Sequence, residues 1–184
     1  MKILISCLLL STMVAGAQPA QIILLRHAEK LDDPAAVNLS PRGEERALAL
    51  VSLLGRRSPF TSNAPVVALY ATRVTKHDHS RRTGETLAPL SKDLDLPVNT
   101  LIDSDNYSVL ATRVLNNPAY RGKTVIICWT HHDIAQLAGA LGVRPPPAPW
   151  KDKTFDRLWI IAYREGRAEL RDAPQRLLKG DAKR

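Results

Sequence analysis

The run Thr124–Trp129, TVIICW, is apolar along almost its whole length, a pattern that fits a strand covered on both faces. Such a strand belongs to a largely parallel sheet, and a parallel sheet needs helices on either side of it. The rest of the chain supplies them, because strand-like and helix-like segments alternate with no internal repeat. Residues 22–25 read as a first strand. Ser40 offers a helix cap and Pro41 a first-turn proline. Glu44 and Glu45 suit the positive end of the helix that follows, and Ala47, Leu50, Val51 and Leu54 recur at helical spacing over Pro41–Leu54. A second strand is predicted over 66–70, helices over 83–90, Tyr107–Leu115 and 134–141 with Gly142 as its stop, and a hairpin of 157–163 with 168–171 across Glu165-Gly166. Pro145 to Pro149 read as an extended connection. A chain of 184 residues suits one domain. The expected fold is a single α/β domain over 18–172, a three-layer sandwich with a central, mostly parallel sheet flanked by helices.

Ahead of this domain, Met1-Lys2, the apolar stretch 3–14 and Ala15-Gly16-Ala17 form the charged, apolar and small-residue parts of a secretory signal peptide, with cleavage expected after Ala17. Leu4-Ile5-Ser6-Cys7 looks like a lipoprotein box but leaves almost no apolar region before the cysteine, so lipidation is the lesser reading. Cys7 leaves with the leader, and Cys128 remains as a buried thiol without a disulfide partner. No later segment is apolar for long enough to cross a bilayer. The expected product is an exported, periplasmic or secreted protein with no membrane attachment after cleavage, ending in a basic, mobile tail over 173–184. The formal charge of +8, or +7 without Lys2, favours anionic ligands. Aromatic residues do not interleave with the basic ones, which argues against nucleic acid as a partner.

Chemistry concentrates where the strands end. Arg26-His27 follows the first strand, Lys76 to Arg82 follows the second, and His131-His132-Asp133 follows Thr124–Trp129. In an open α/β sheet, ligands bind beyond the carboxyl ends of the strands. A phosphoryl group in flight needs several positive donors around its oxygens and a nucleophile in line. Arg26, Arg82, His27 and His131 supply these without a metal or another cofactor. A neutral imidazole attacks phosphorus through one nitrogen while the proton on the other is held, which makes His27 the nucleophile.

These residues resemble the histidine phosphatase superfamily, also called phosphoglycerate mutase-like, over most of the mature chain. Leu25-Arg26-His27-Ala28-Glu29-Lys30 is similar to its Arg-His-Gly signature with alanine in place of glycine. Leu39-Ser40-Pro41-Arg42-Gly43 with Arg46-Ala47 is similar to its Leu-Thr-Pro-x-Gly segment. Ser80-Arg81-Arg82-Thr83-Gly84-Glu85-Thr86 resembles the segment holding its second catalytic arginine, and Trp129-Thr130-His131 the one holding its second histidine. The resemblance implies a phosphohistidine on His27, with Arg26, Arg82 and His131 clamping the phosphoryl oxygens. Glu29 and His132, which flank the two histidines, are expected on the substrate side. The substrate would be a small phosphate ester or a phosphoprotein. Two departures stand out: His132 replaces the usual glycine after the second histidine, and the stretch between Tyr70 and Arg82 is longer than the compact pattern.

The proton donor has no glutamate at an obvious matching position. Asp133 is the candidate carried forward, ahead of Asp103, Asp105 and Glu29. Three rival readings remain: Arg26 could pair with Glu29 at the surface, the domain could bind phosphate or a phosphorylated ligand without turning it over, or His77 and His79 could hold a metal in a metal-dependent hydrolase.

Overall fold

The computed structural model describes residues 18–164 and 166–183, so the leader expected over 1–17 lies outside the described residues. Six strands, β1 (Gln21–Arg26), β2 (Val66–Thr72), β3 (Val98–Ile102), β4 (Thr124–Trp129), β5 (Arg157–Arg164) and β6 (Arg167–Pro174), form one sheet in the order β3-β2-β4-β1-β5-β6. The first four run parallel. β5 lies antiparallel to β1, and β6 antiparallel to β5. Helices α1 (Pro41–Leu54), α2 (Arg82–Leu94), α3 (Tyr107–Leu115) and α4 (Ile134–Ala140) complete the three-layer sandwich.

Alternation along the central strands divides the core in two. Ile22 and Leu24 of β1, with Val125 and Ile127 of β4, pack with Leu110 and Val114 of α3 and Ile134 and Leu137 of α4. Ile23, Leu25, Ile126 and Cys128 face the other way, against Leu50 and Leu54 of α1 and Leu87 and Leu90 of α2. The β1 residues 22–25 are fully buried, each worth about 1.5–3 kcal/mol of apolar transfer. β1 and β4 are thereby the rigid centre of the sheet, and their paired ends, Arg26 and Trp129, face the same rim.

The start of α1 is fixed against the segment that leaves β1. The Ser40 backbone N–H donates to the Glu29 carbonyl at 2.9 Å, and the Ser40 hydroxyl caps the helix by accepting from the Gly43 N–H at 3.2 Å. A Cβ on Gly43 would run into the Glu29 carbonyl oxygen, so only glycine permits this approach.

Three regions differ from expectation. β3 was not predicted because it is an edge strand in which only Ile102 is buried, leaving no apolar alternation to read. α2 begins at Arg82 and continues past Pro89 to Leu94, which packs on the core of that face. The segment expected as a mobile tail is docked. β6 runs to Pro174, the Gln175 amide donates to the carbonyls of Phe155 and Arg157 at 3.0 and 3.1 Å, and the Ala182 N–H donates to Asp156 at 2.6 Å. The reason is electrostatic. Asp181 and Gln175 supply acceptors to the buried Arg46 guanidinium, so this segment belongs to the folded unit despite its basic composition.

Candidate active site

The site is assembled by hydrogen bonds that join three strand ends. β1 ends at Arg26, and His27 follows it into a nearly closed position with 4% of its surface exposed. The Ala28 N–H donates to Thr86 Oγ1 at 2.9 Å, while the Thr86 hydroxyl donates to the Arg82 carbonyl at 2.7 Å. Thr72 at the end of β2 and Thr83 in the first turn of α2 share a hydroxyl contact at 2.7 Å. Glu85 accepts from the Leu39 N–H at 2.8 Å. Together these bonds fix the base of Arg82 relative to His27. The Arg82 guanidinium donates to the carbonyls of Asn38 and Ala36, which aligns it along the segment ahead of α1.

His27 Nδ1 lies 2.7 Å from its neighbour's carbonyl, Ala28 O. A carbonyl only accepts, so Nδ1 carries the proton and Nε2 keeps its lone pair. Burial first, and then the charges of Arg26, Arg82 and His131, lower the His27 pKa from 6.5 to about 3 against the opposing pull of the Ala28 bond. That balance brings the four residues singled out by sequence into one electrostatic unit and keeps the imidazole neutral at physiological pH.

Arg26 is 1% exposed. Its Nη1 donates to the carbonyls of Asp152, Lys151 and Thr154 at 2.6, 3.2 and 3.4 Å, and the Phe155 ring lies 4.3 Å from the guanidinium carbon, a cation–π arrangement. Burial lowers its pKa to about 10, with the Asp152 charge opposing, so the guanidinium remains charged. Among the described residues its buried Nε–H has no hydrogen-bonding partner. An unmatched buried donor costs about 1–3 kcal/mol, which a phosphoryl oxygen would offset.

His131, beyond β4, places Nε2 3.2 Å from Asp152 Oδ1. Desolvation and the charges of Arg26 and His132 lower its pKa to about 4, with Asp152 opposing. The His132 ring sits 3.8 Å from that of His131, and His132 is exposed.

The other candidates have different engagements. Asp133 Oδ2 accepts from the Thr130 hydroxyl at 2.9 Å. Glu29 does not pair with Arg26. Its carboxylate takes two bonds from Arg46, at 2.7 and 2.9 Å, and a third contact from Arg42 at 3.3 Å. Arg46 in turn binds Asp181, whose carboxyl burial alone would raise but which Arg46 holds at about 2. Asp103 meets Arg73 at 3.4 Å. His77 and His79 are exposed, and among the described residues no three His, Cys, Asp or Glu side chains gather as a metal-ligand set. Cys128 faces the core, where burial pushes its thiol up, away from the reactive thiolate.

Sequence reasoning missed the segment from Lys151 to Phe155. β5 starts beside the carboxyl end of β1, with Leu25 opposite Leu158, so the connection entering β5 has to arrive at the site. Antiparallel pairing of β5 with β1 was the signal that could have found it.

The lowered His27 pKa sets a sign for stability against pH. Between about 3 and 6.5 the unfolded chain holds a proton on His27 that the folded chain does not, so stability falls as pH drops through that window. Urea unfolding of His27→Gln should show a shallower loss of stability over that range than the parent protein. An equal slope would contradict a buried, neutral His27.

No model of a known protein family matches the chain, and no curated protein sequence matches it. Solved structures do match. A protein histidine phosphatase, SixA, complexed with tungstate aligns at TM-score 0.59 and 15% identity, covering 84% of this chain and 97% of that one. The mycobacterial glucosyl-3-phosphoglycerate phosphatase with inorganic phosphate aligns at TM-score 0.58 and 15% identity, covering 83% and 95%. The α-ribazole phosphatase of Shigella flexneri aligns at TM-score 0.58 and 15% identity, covering 86% and 98%. With its four parallel strands, antiparallel edge and flanking helices, the chain has the phosphoglycerate mutase-like fold, the architecture of the histidine phosphatases.

Proposed function

We propose that the chain is a metal-independent phosphomonoesterase that passes the phosphoryl group through His27. The observation that carries this reading is the state of that ring: buried, neutral, and with Nδ1–H committed to the Ala28 carbonyl so that Nε2 is the free nucleophile. Nε2 attacks phosphorus, the P–O bond to the leaving group breaks, and water then releases phosphate from the phosphohistidine. Charge on the equatorial oxygens is met by Arg26, whose Nε–H has no acceptor among the described residues, by Arg82 and by His131. These donors are held in place before substrate arrives, so little reorganisation is needed at the transition state. The substrate class on this reading is a small phosphate monoester or a phosphorylated protein. The naming of neighbouring folds as a protein histidine phosphatase and a glucosyl-3-phosphoglycerate phosphatase is compatible with either.

The same reading places the mature protein outside the cytoplasm, as a periplasmic or secreted enzyme. Its support is the composition of residues 1–17 and the lone cysteine left after cleavage. Among the described residues no helix is long and apolar enough to cross a membrane. Amino-terminal sequencing of the exported product should begin at Gln18, and an exported chain still starting at Met1 would refute cleavage.

Hydrolysis of a nitrophenyl phosphate by the mature protein in excess EDTA should persist. His27→Ala should lower kcat by about three orders of magnitude or more, and Arg82→Ala by about two to three. Activity that is lost to the chelator and retained by His27→Ala would overturn the phosphohistidine reading. Phosphate binding without turnover would identify a binding domain instead.

A further inference from the structure

We infer that Asp152, rather than Asp133, is the acid that protonates the leaving oxygen and the base that activates water, an assignment that rests on the phosphohistidine reading above. Asp152 is fastened to the site at both ends. Its carbonyl accepts from Arg26 Nη1 at 2.6 Å, and its carboxylate stands 3.2 Å from His131 Nε2. Its charge acts on both of those residues, opposing the loss of their protons. The neighbouring carboxylates are committed elsewhere: Glu29 to Arg46 and Arg42, Asp133 to the Thr130 hydroxyl, and Asp103 to Arg73.

The placement suits the chemistry. Arg26 and His27 are enclosed, whereas the Asp152 side chain is 89% exposed, so the carboxyl sits on the solvent side of the phosphoryl clamp and can exchange protons with water. A leaving group displaced by His27 departs toward solvent, because in-line attack places nucleophile and leaving oxygen on opposite sides of phosphorus.

The steps balance. His27 Nε2 forms a bond to phosphorus as the P–O bond of the ester breaks. The departing alkoxide takes the Asp152 proton and leaves as an alcohol, giving phosphohistidine and an Asp152 carboxylate. Water then attacks phosphorus and gives its proton to that carboxylate. The N–P bond breaks, and hydrogen phosphate, neutral His27 and protonated Asp152 are regenerated.

The test compares two leaving groups. A nitrophenolate departs without a proton, whereas the alkoxide of a simple alkyl phosphate does not. Asp152→Asn should lower kcat/KM for the alkyl ester by about 10²–10⁴-fold. The first-turnover burst of nitrophenolate should be retained, followed by a slowed steady state as water attack loses its base. Asp152→Glu should recover part of the alkyl activity, and Asp133→Asn should retain it. The exposed side chain and the backbone origin of the Arg26 contact leave the asparagine variant folded, which the thermal midpoint checks. Equal losses of kcat/KM for both esters, an unaffected alkyl ester, or loss of alkyl activity in Asp133→Asn instead would overturn the role of Asp152. Turnover of either ester by His27→Ala would overturn the phosphohistidine reading itself, separately from the acid, and a parent protein inactive on both would overturn both.

Discussion

The burial of a guanidinium at the carboxyl end of β1 is the constraint on which the rest of the site depends. A charge removed from water is costly unless acceptors surround it, and Arg26 is almost wholly enclosed. Three carbonyls from the Lys151–Phe155 segment and the face of Phe155 meet one side of it. The connection from α4 to β5 therefore closes over β1, and Asp152 arrives beside His131 as a result. The enclosure leaves the Nε–H unmatched among the described residues, and on the proposed reading an anionic substrate would complete it. Arg26 also helps keep His27 neutral, linking the cost of the buried cation to the reactivity of the adjacent ring.

Two sets of charged groups are separated by a single residue. His27 points into the site, while Glu29, two positions on, closes the Arg46–Asp181 cluster beneath α1. Ala28 lies between them and ties the backbone to α2 through Thr86. The cluster uses up the carboxylate nearest in sequence to His27 and recruits the carboxyl-terminal segment, leaving the surroundings of His27, with Arg26 and Arg82, rich in positive charge. On the proposed phosphohistidine reading, an acidic group for proton transfer then has to come from elsewhere in the fold.

Much of this was legible in the sequence because the signals are local. The apolar run in β4, the Ser40-Pro41 cap and the periodicity of α1 report burial and hydrogen bonding within a few residues of each position. The placement of Arg26, His27, Arg82 and His131 was legible for the same reason, each standing at or just beyond a strand end or in the first turn of a helix. β3 was hidden because an exposed edge has no alternation, and Asp152 because its approach depends on β5 pairing antiparallel to β1, a long-range fact with no local signature. The docking of residues 173–183 was not legible because their basic composition conceals Asp181, the aspartate that binds Arg46.

The claim at the centre of this account is that His27 Nε2 becomes covalently attached to phosphorus. Mass spectrometry of the protein quenched in alkali during turnover, where a nitrogen-bound phosphoryl group survives, addresses it directly. The account predicts a single phosphoryl group on His27, absent after acid treatment. Turnover at full rate with no phosphorylated His27 at any quench time, or with the group on another residue, would contradict it.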